Sequence, residues 1–205
     1  MLTIYLLRHG QTFWNAENNR YCGRSDIGLT ELGYLQAEEA RKQLEGLKFE
    51  AIYCSPLQRA FITATIASGA SKDDTITIIK DERLIESDFG SWEGKTKDEF
   101  VAENEQLWIN WMADPAVAPA GGTGETATDV LLRVNDFYKS LQSKHMDGNI
   151  LIVAHNNVNR FFMAQKLGMP LRNYRQLIQH NSAVTCFTLD IDGLLTLEYL
   201  NSRLK

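Results

Sequence analysis

Apolar residues along this chain fall into short runs of two kinds, compact β-branched blocks and longer stretches with helical spacing, and the two kinds alternate. Leu2 to Leu7 is a compact apolar run that predicts a buried strand delivering Arg8-His9-Gly10 at its C-terminal end. Thr30 then caps a predicted helix whose Leu32, Leu35, Ala40, Leu44 and Leu47 follow helical spacing, with Gly46 near its end. Glu50 to Cys54 reads as the next strand. Ser55-Pro56 supplies an N-cap and a first-turn proline for a helix running toward Gly69, and a strand follows near Ile76 to Ile79.

The segment from Glu86 to Gly122 interrupts the alternation. Thr96 with Glu99 forms a capping box, and the helix behind it carries Leu107, Trp108, Trp111 and Met112 before Pro115 stops it. This segment reads as a helical insertion, near 86–122, over one end of a sheet. The spacing of Trp108 and Trp111 favours core contacts over a lid. A helix over Thr126 to Ser143, a strand over Ile150 to Ala154 and a helix ending at Gly168 resume the alternation. Ala183 to Leu189 and Leu194 to Tyr199 flank Asp192-Gly193, a hairpin turn. The predicted fold is a three-layer α/β/α domain spanning residues 1–205, with a mostly parallel sheet and one antiparallel edge.

Composition narrows the function. The chain has 205 residues, 44% hydrophobic and 23% charged, with a net charge of −5. That balance argues against a nucleic-acid-binding face, which needs a Lys/Arg excess. An anionic small molecule would need a locally basic pocket. The N-terminus lacks the order of a signal peptide, and no apolar run approaches the ~20 residues of a membrane span, so a cytoplasmic protein is expected. Cys22, Cys54 and Cys186 show no C-x-x-C spacing and read as free thiols. Neither a His-x-His pair nor a helical His pair occurs, so no metal or other cofactor is implied; His145 and His180 read as structural or solvated.

The chemistry gathers at predicted strand ends. Arg8 and His9 follow the first strand, Arg59 follows the second, and His155 follows Leu151-Ile152-Val153-Ala154. Parallel strands bring such ends together, where open α/β sheets bind ligands. Two guanidiniums and two imidazoles around one anion-sized space suit the charge of a phosphoryl group in transfer. A histidine kept neutral by neighbouring cations is a competent nucleophile.

The blocks Leu7-Arg8-His9-Gly10-Gln11-Thr12, Trp14-Asn15, Gly28-Leu29-Thr30-Glu31-Leu32-Gly33, Ser55-Pro56-Leu57-Gln58-Arg59-Ala60, Phe89-Gly90-Ser91-Trp92-Glu93-Gly94, Gly124-Glu125-Thr126 and Val153-Ala154-His155, in this order, resemble the histidine phosphatase superfamily, in its phosphoglycerate-mutase-like branch. The similarity is to phosphatase-type members, such as the ribazole phosphate and broad-specificity phosphatases. The resemblance implies that His9 is the phosphorylated nucleophile, that Arg8, Arg59 and His155 form the phosphate pocket, and that Glu86 donates the proton. It further implies that Asn15 and the backbone near Gly23 touch the substrate and that Glu125 orients pocket arginines and histidines. The family carries glycine after its second histidine, whereas this chain has Asn156, whose side chain would narrow the pocket or add a hydrogen bond.

The expected activity is therefore hydrolysis of a small phosphorylated metabolite. A mutase that returns the phosphoryl group to another substrate oxygen is the first alternative, favoured by Trp14-Asn15-Ala16-Glu17-Asn18, while Phe89 to Gly94 and Gly23-Arg24-Ser25-Asp26 favour the phosphatase. A catalytically weak module that binds phosphorylated ligands is the second, with Asn156 its support. Pairing of edge strands through the C-terminal hairpin would be compatible with a homodimer.

Overall fold

Side chains on β1 (Leu2–Arg8) alternate between two cores: Leu2, Ile4 and Leu6 face one and Leu7 the other. The same alternation divides Ile150 and Ile152 from Leu151 and Val153 on β4 (Gly148–Ala154). Such strands need cover on both sides, and this sheet has it. The computed structural model describes residues 1–70 and 77–204. Its six-stranded sheet has the order β3-β2-β4-β1-β5-β6, with β2 at Ala51–Cys54, β3 at Ile78–Lys80, β5 at Val184–Leu189 and β6 at Leu195–Ser202. Strands β1 to β4 pair in parallel, and the hairpin of β5 and β6 forms the antiparallel edge. The expected layered α/β fold with its antiparallel edge is thus observed. The strand predicted near Ile76 to Ile79 begins at Ile78; Ile76 lies outside the described residues.

A short helix α1 (Phe13–Ala16) follows β1, closed by a capping box between Thr12 and Asn15. Helix α2 (Glu31–Gln43), capped by Thr30, and helix α3 (Gln58–Ala67) pack on one sheet face. Two sequence expectations fail here. Leu32 and Leu35 are exposed, because α2 instead buries Gly33, Ala37 and Ala40. A Cβ on Gly33 would lie 2.2 Å from the carbonyl oxygen of Gln11, so this small-residue face lets the helix backbone approach the loop after β1. The second concerns Ser55-Pro56, which does not cap α3. That helix starts at Gln58, and the Gln58 N–H donates to the Asp26 carboxylate at 2.7 Å, so its cap comes from a distant loop.

Between β3 and helix α6 (Ala127–Lys144) lies the segment read as an insertion. The helix predicted there is two helices, α4 (Lys97–Glu103) and α5 (Glu105–Ala113), separated at Asn104, whose extended backbone breaks the run. Trp92 stacks on Phe100 and meets Trp108 and Trp111 edge-on. Trp92 and Trp111 are buried and Trp108 packs against the same core, so these tryptophans hold the segment down rather than forming a lid. Helix α6 and helix α7 (Asn156–Lys166) cover the second face of the sheet, where Tyr138 stacks on Phe162.

Candidate active site

Strand register assembles the site. Arg8 pairs with Ala154 across β1 and β4, so His9 and His155, each one residue further, emerge side by side with ring centroids 5.1 Å apart. The His9 N–H donates to the carbonyl of Ala154, which fixes that exit. Behind His9, the Gly10 N–H donates to Thr63 Oγ1, whose hydroxyl donates to the carbonyl of Arg59. The loop is thereby tied to α3.

His9 Nδ1 lies 2.7 Å from the carbonyl oxygen of Gly10. A carbonyl only accepts, so Nδ1 carries the hydrogen and Nε2 keeps a free lone pair when the ring is neutral. Burial, with the nearby charges of Arg59 and Arg8, holds the His9 imidazole well below its usual titration range. Burial and Arg59 do the same to His155, and neither His155 ring nitrogen has a partner within the protein. Both rings are uncharged at neutral pH.

A cavity of about 290 Å³ opens over His9 and is lined in part by Arg8, Asn15, Glu86 and Asn156. Arg8 Nη1 donates to the carbonyl of Gln179 at 2.9 Å, while its buried Nε has no protein partner. Burial and the proximity of Arg160 lower the Arg8 guanidinium to about 10. Glu86 is buried, and desolvation raises its pKa although the backbone N–H groups of Ser87 and Asn157 pull the other way.

His155, behind His9, and three other residues singled out in the sequence sit off the cavity wall. Arg59 is fully buried near His9 and His155 and donates to the carbonyls of Cys22, Gly23 and Ser25. Gly23 does not line the cavity: its N–H donates to the Glu93 carboxylate, and a Cβ there would lie 2.4 Å from the Ser87 carbonyl oxygen. Glu125 binds Arg133 through both oxygens and also meets Arg24, not Arg8 or Arg59. Arg133 in turn donates to the carbonyls of Arg83, Ile85 and Glu86, so Glu125 reaches the site through the chain that carries Glu86. Burial acts to raise the Glu125 pKa, but the Arg133 contacts and the Asp88 N–H hold it below the usual carboxylate range.

Among the lining residues that the sequence did not point to are Arg160, Arg175, Gln179 and His180. His180, read as structural or solvated, lines the cavity because the segment after α7 folds back beside β1, where the Ser182 N–H donates to the Arg8 carbonyl. Asn181 from the same segment donates to the His9 carbonyl. His145 is structural, bonded to the Tyr53 hydroxyl at 2.9 Å. Among the described residues, no group of three or more His, Cys, Asp or Glu side chains is placed to hold a metal ion, and no helix is long and apolar enough to cross a membrane.

The solved structure of YhfR from Bacillus stearothermophilus superposes with a TM-score of 0.89 at 32% identity, covering 100% of this chain and 98% of that one. Phosphoserine phosphatase 1 of Hydrogenobacter thermophilus is 29% identical over 174 residues, 85% of this chain and 80% of its own. A 2,3-bisphosphoglycerate-dependent phosphoglycerate mutase of Bartonella quintana is 38% identical over 160 residues, 76% of each chain. Residues 4–202 match the family described as histidine phosphatase superfamily (branch 1), and the chain, a phosphatase, belongs to that family.

Proposed function

We propose that this phosphatase hydrolyses a small phosphorylated metabolite through a phosphorylated His9, in the cytoplasm. The free lone pair of His9 Nε2, set by the bond from Nδ1 to the Gly10 carbonyl, carries the reading. Nε2 attacks phosphorus, the phosphorus–oxygen bond to the leaving group breaks, and the departing alkoxide takes the proton of Glu86. Arg8, Arg59 and the neutral His155 stabilise the equatorial oxygens, with Asn15 adding a neutral contact. Water then attacks phosphorus, the Glu86 carboxylate takes its proton, the phosphorus–nitrogen bond breaks and inorganic phosphate leaves. Asn156 borders the bound group, and Glu125 acts as a positioning residue through Arg133.

The test is phosphate release from p-nitrophenyl phosphate and a panel of metabolite monoesters, with and without chelator, by wild type and His9→Ala. Release that disappears in His9→Ala and ignores chelator, with a phosphoryl mass trapped on the His9 peptide, is the expected result. Similarity to the Bartonella quintana mutase keeps one second reading alive. Interconversion of phosphoglycerates without phosphate release would establish it instead.

A further inference from the structure

The cavity holds more positive charge than a phosphoryl group needs. Arg8, the neutral His9 and the start of α7, Asn156 and Asn157, already line the part of the cavity where phosphorus would sit. Arg160 and Arg175 line the same cavity, and each has a buried Nε with no partner in the protein. Among the described residues neither forms an ion pair with a carboxylate; Glu86 is the sole acidic side chain on the cavity wall. Burial lowers the Arg160 pKa, and the charge of Arg175 adds to the effect, whereas at Arg175 the phenols of Tyr174 and Tyr21 outweigh burial and raise it. Clustered, desolvated cations with idle donors are destabilising unless an anion joins them.

Arg175 is fixed in advance, and Arg160 is placed by its helix. Arg175 Nη2 donates to the Tyr21 hydroxyl at 2.8 Å, and its guanidinium lies 4.7 Å from the centre of the Trp108 ring. Arg160 stands four residues after Asn156 on α7, which is about 6 Å along the helix from the turn that borders the phosphoryl site. A short carbon bridge spans that interval.

We propose that Arg160 and Arg175 form a second anion subsite that takes a carboxylate, so that the preferred substrates are phosphorylated acids rather than phosphate esters of neutral alcohols. A carboxylate fits the planar fork of a guanidinium. A second phosphoryl dianion would add charge beside Glu86. The inference rests on His9 marking the phosphoryl site.

The experiment is calorimetric binding of three phosphonates, which cannot be hydrolysed as esters: 3-phosphonopropionate, propylphosphonate and propane-1,3-diphosphonate, each with wild type, Arg160→Gln and Arg175→Gln. Wild type is expected to bind 3-phosphonopropionate at least about tenfold more tightly than propylphosphonate, the weight of charged hydrogen bonds. Each substitution is expected to remove most of that ratio. Equal binding by wild type, or a ratio that survives both substitutions, overturns the proposal, and tightest binding of the diphosphonate reassigns the subsite to a phosphoryl group. The wild-type ratio decides the matter even if one variant fails to fold. A tenfold ratio without phosphate release from any ester would remove the hydrolase reading and leave the subsite standing.

Discussion

Glu86 Oε2 accepts the backbone N–H of Asn157 at 3.2 Å, on the first turn of the helix that begins directly after His155. The candidate proton donor and the candidate phosphate pocket are therefore braced by one helix end. Desolvation raises the Glu86 pKa, while the helix N–H groups favour its charged form and offset part of that rise.

Glu86→Gln should slow hydrolysis according to the leaving group. An alkyl phosphate, whose alkoxide needs a proton, is expected to lose about 100- to 10,000-fold in rate. p-Nitrophenyl phosphate, with its stable leaving anion, is expected to lose much less. Equal losses on both esters, measured in parallel, would assign Glu86 to binding instead.

Stability should depend on pH through His9 and His155. Both are held below the ordinary imidazole pKa in the folded chain, so the unfolded chain binds more protons just below pH ~6.5. Folding stability is then present in full above that value and declines as pH falls, with a limiting slope of about 1.4 kcal/mol per pH unit for each histidine. Urea midpoints between pH 7.5 and 5.5, in buffers free of phosphate, should show this decline in wild type and a flatter profile in a variant with Asn at both positions. Identical profiles would mean that the two rings titrate normally.

Gly10→Ala should damage both stability and activity. The added Cβ would lie 2.4 Å from the carbonyl oxygen of Gly33, a backbone atom that cannot move aside without shifting α2. The expected destabilisation is about 1–3 kcal/mol, and displacement of the Gly10 carbonyl would release the His9 ring and lower turnover by about a hundredfold. Gly28→Ala is the control, because its Cβ would meet its nearest neighbour at 3.7 Å. Matching thermal shifts in the two variants would contradict the close packing of the loop on α2.

Glu125→Gln should act on turnover more than on substrate binding. It weakens the paired contact to Arg133, which holds the carbonyl of Glu86. A kcat reduced by about tenfold to a hundredfold with KM little changed is expected, together with a displaced pH profile and partial rescue by Glu125→Asp. A purely structural role would leave the profile in place and lower only the amount of folded enzyme.

The juxtaposition of Arg8, His9 and His155 was readable from sequence because all three sit at strand ends. Arg8-His9 and His155 each follow an apolar strand, and parallel pairing places such ends together whatever the loops do. Arg160, Arg175, Gln179 and His180 escaped because they come from the middle of α7 and the irregular segment behind it, where no apolar period marks direction. The four-residue spacing from Asn156 to Arg160, on a helix opening directly after β4 and His155, was the one available signal. Leu32 and Leu35 misled for a different reason: several faces of α2 satisfy a helical period, and the close approach of Gly33 to Gln11 chose the one with small residues. Likewise Ser55-Pro56 has the chemistry of a cap, but Asp26 reached the helix end first.

Besides the role proposed for it at the phosphoryl oxygens, Arg59 organises backbone. Its guanidinium draws in the carbonyls of Cys22, Gly23 and Ser25, at 3.3, 2.8 and 2.7 Å, and thereby shapes the loop 22–25 before any ligand arrives. The stretch that brings Cys22 to the cavity wall is therefore held in shape by a side chain of α3, far away in sequence, and takes that shape with no ligand to organise it.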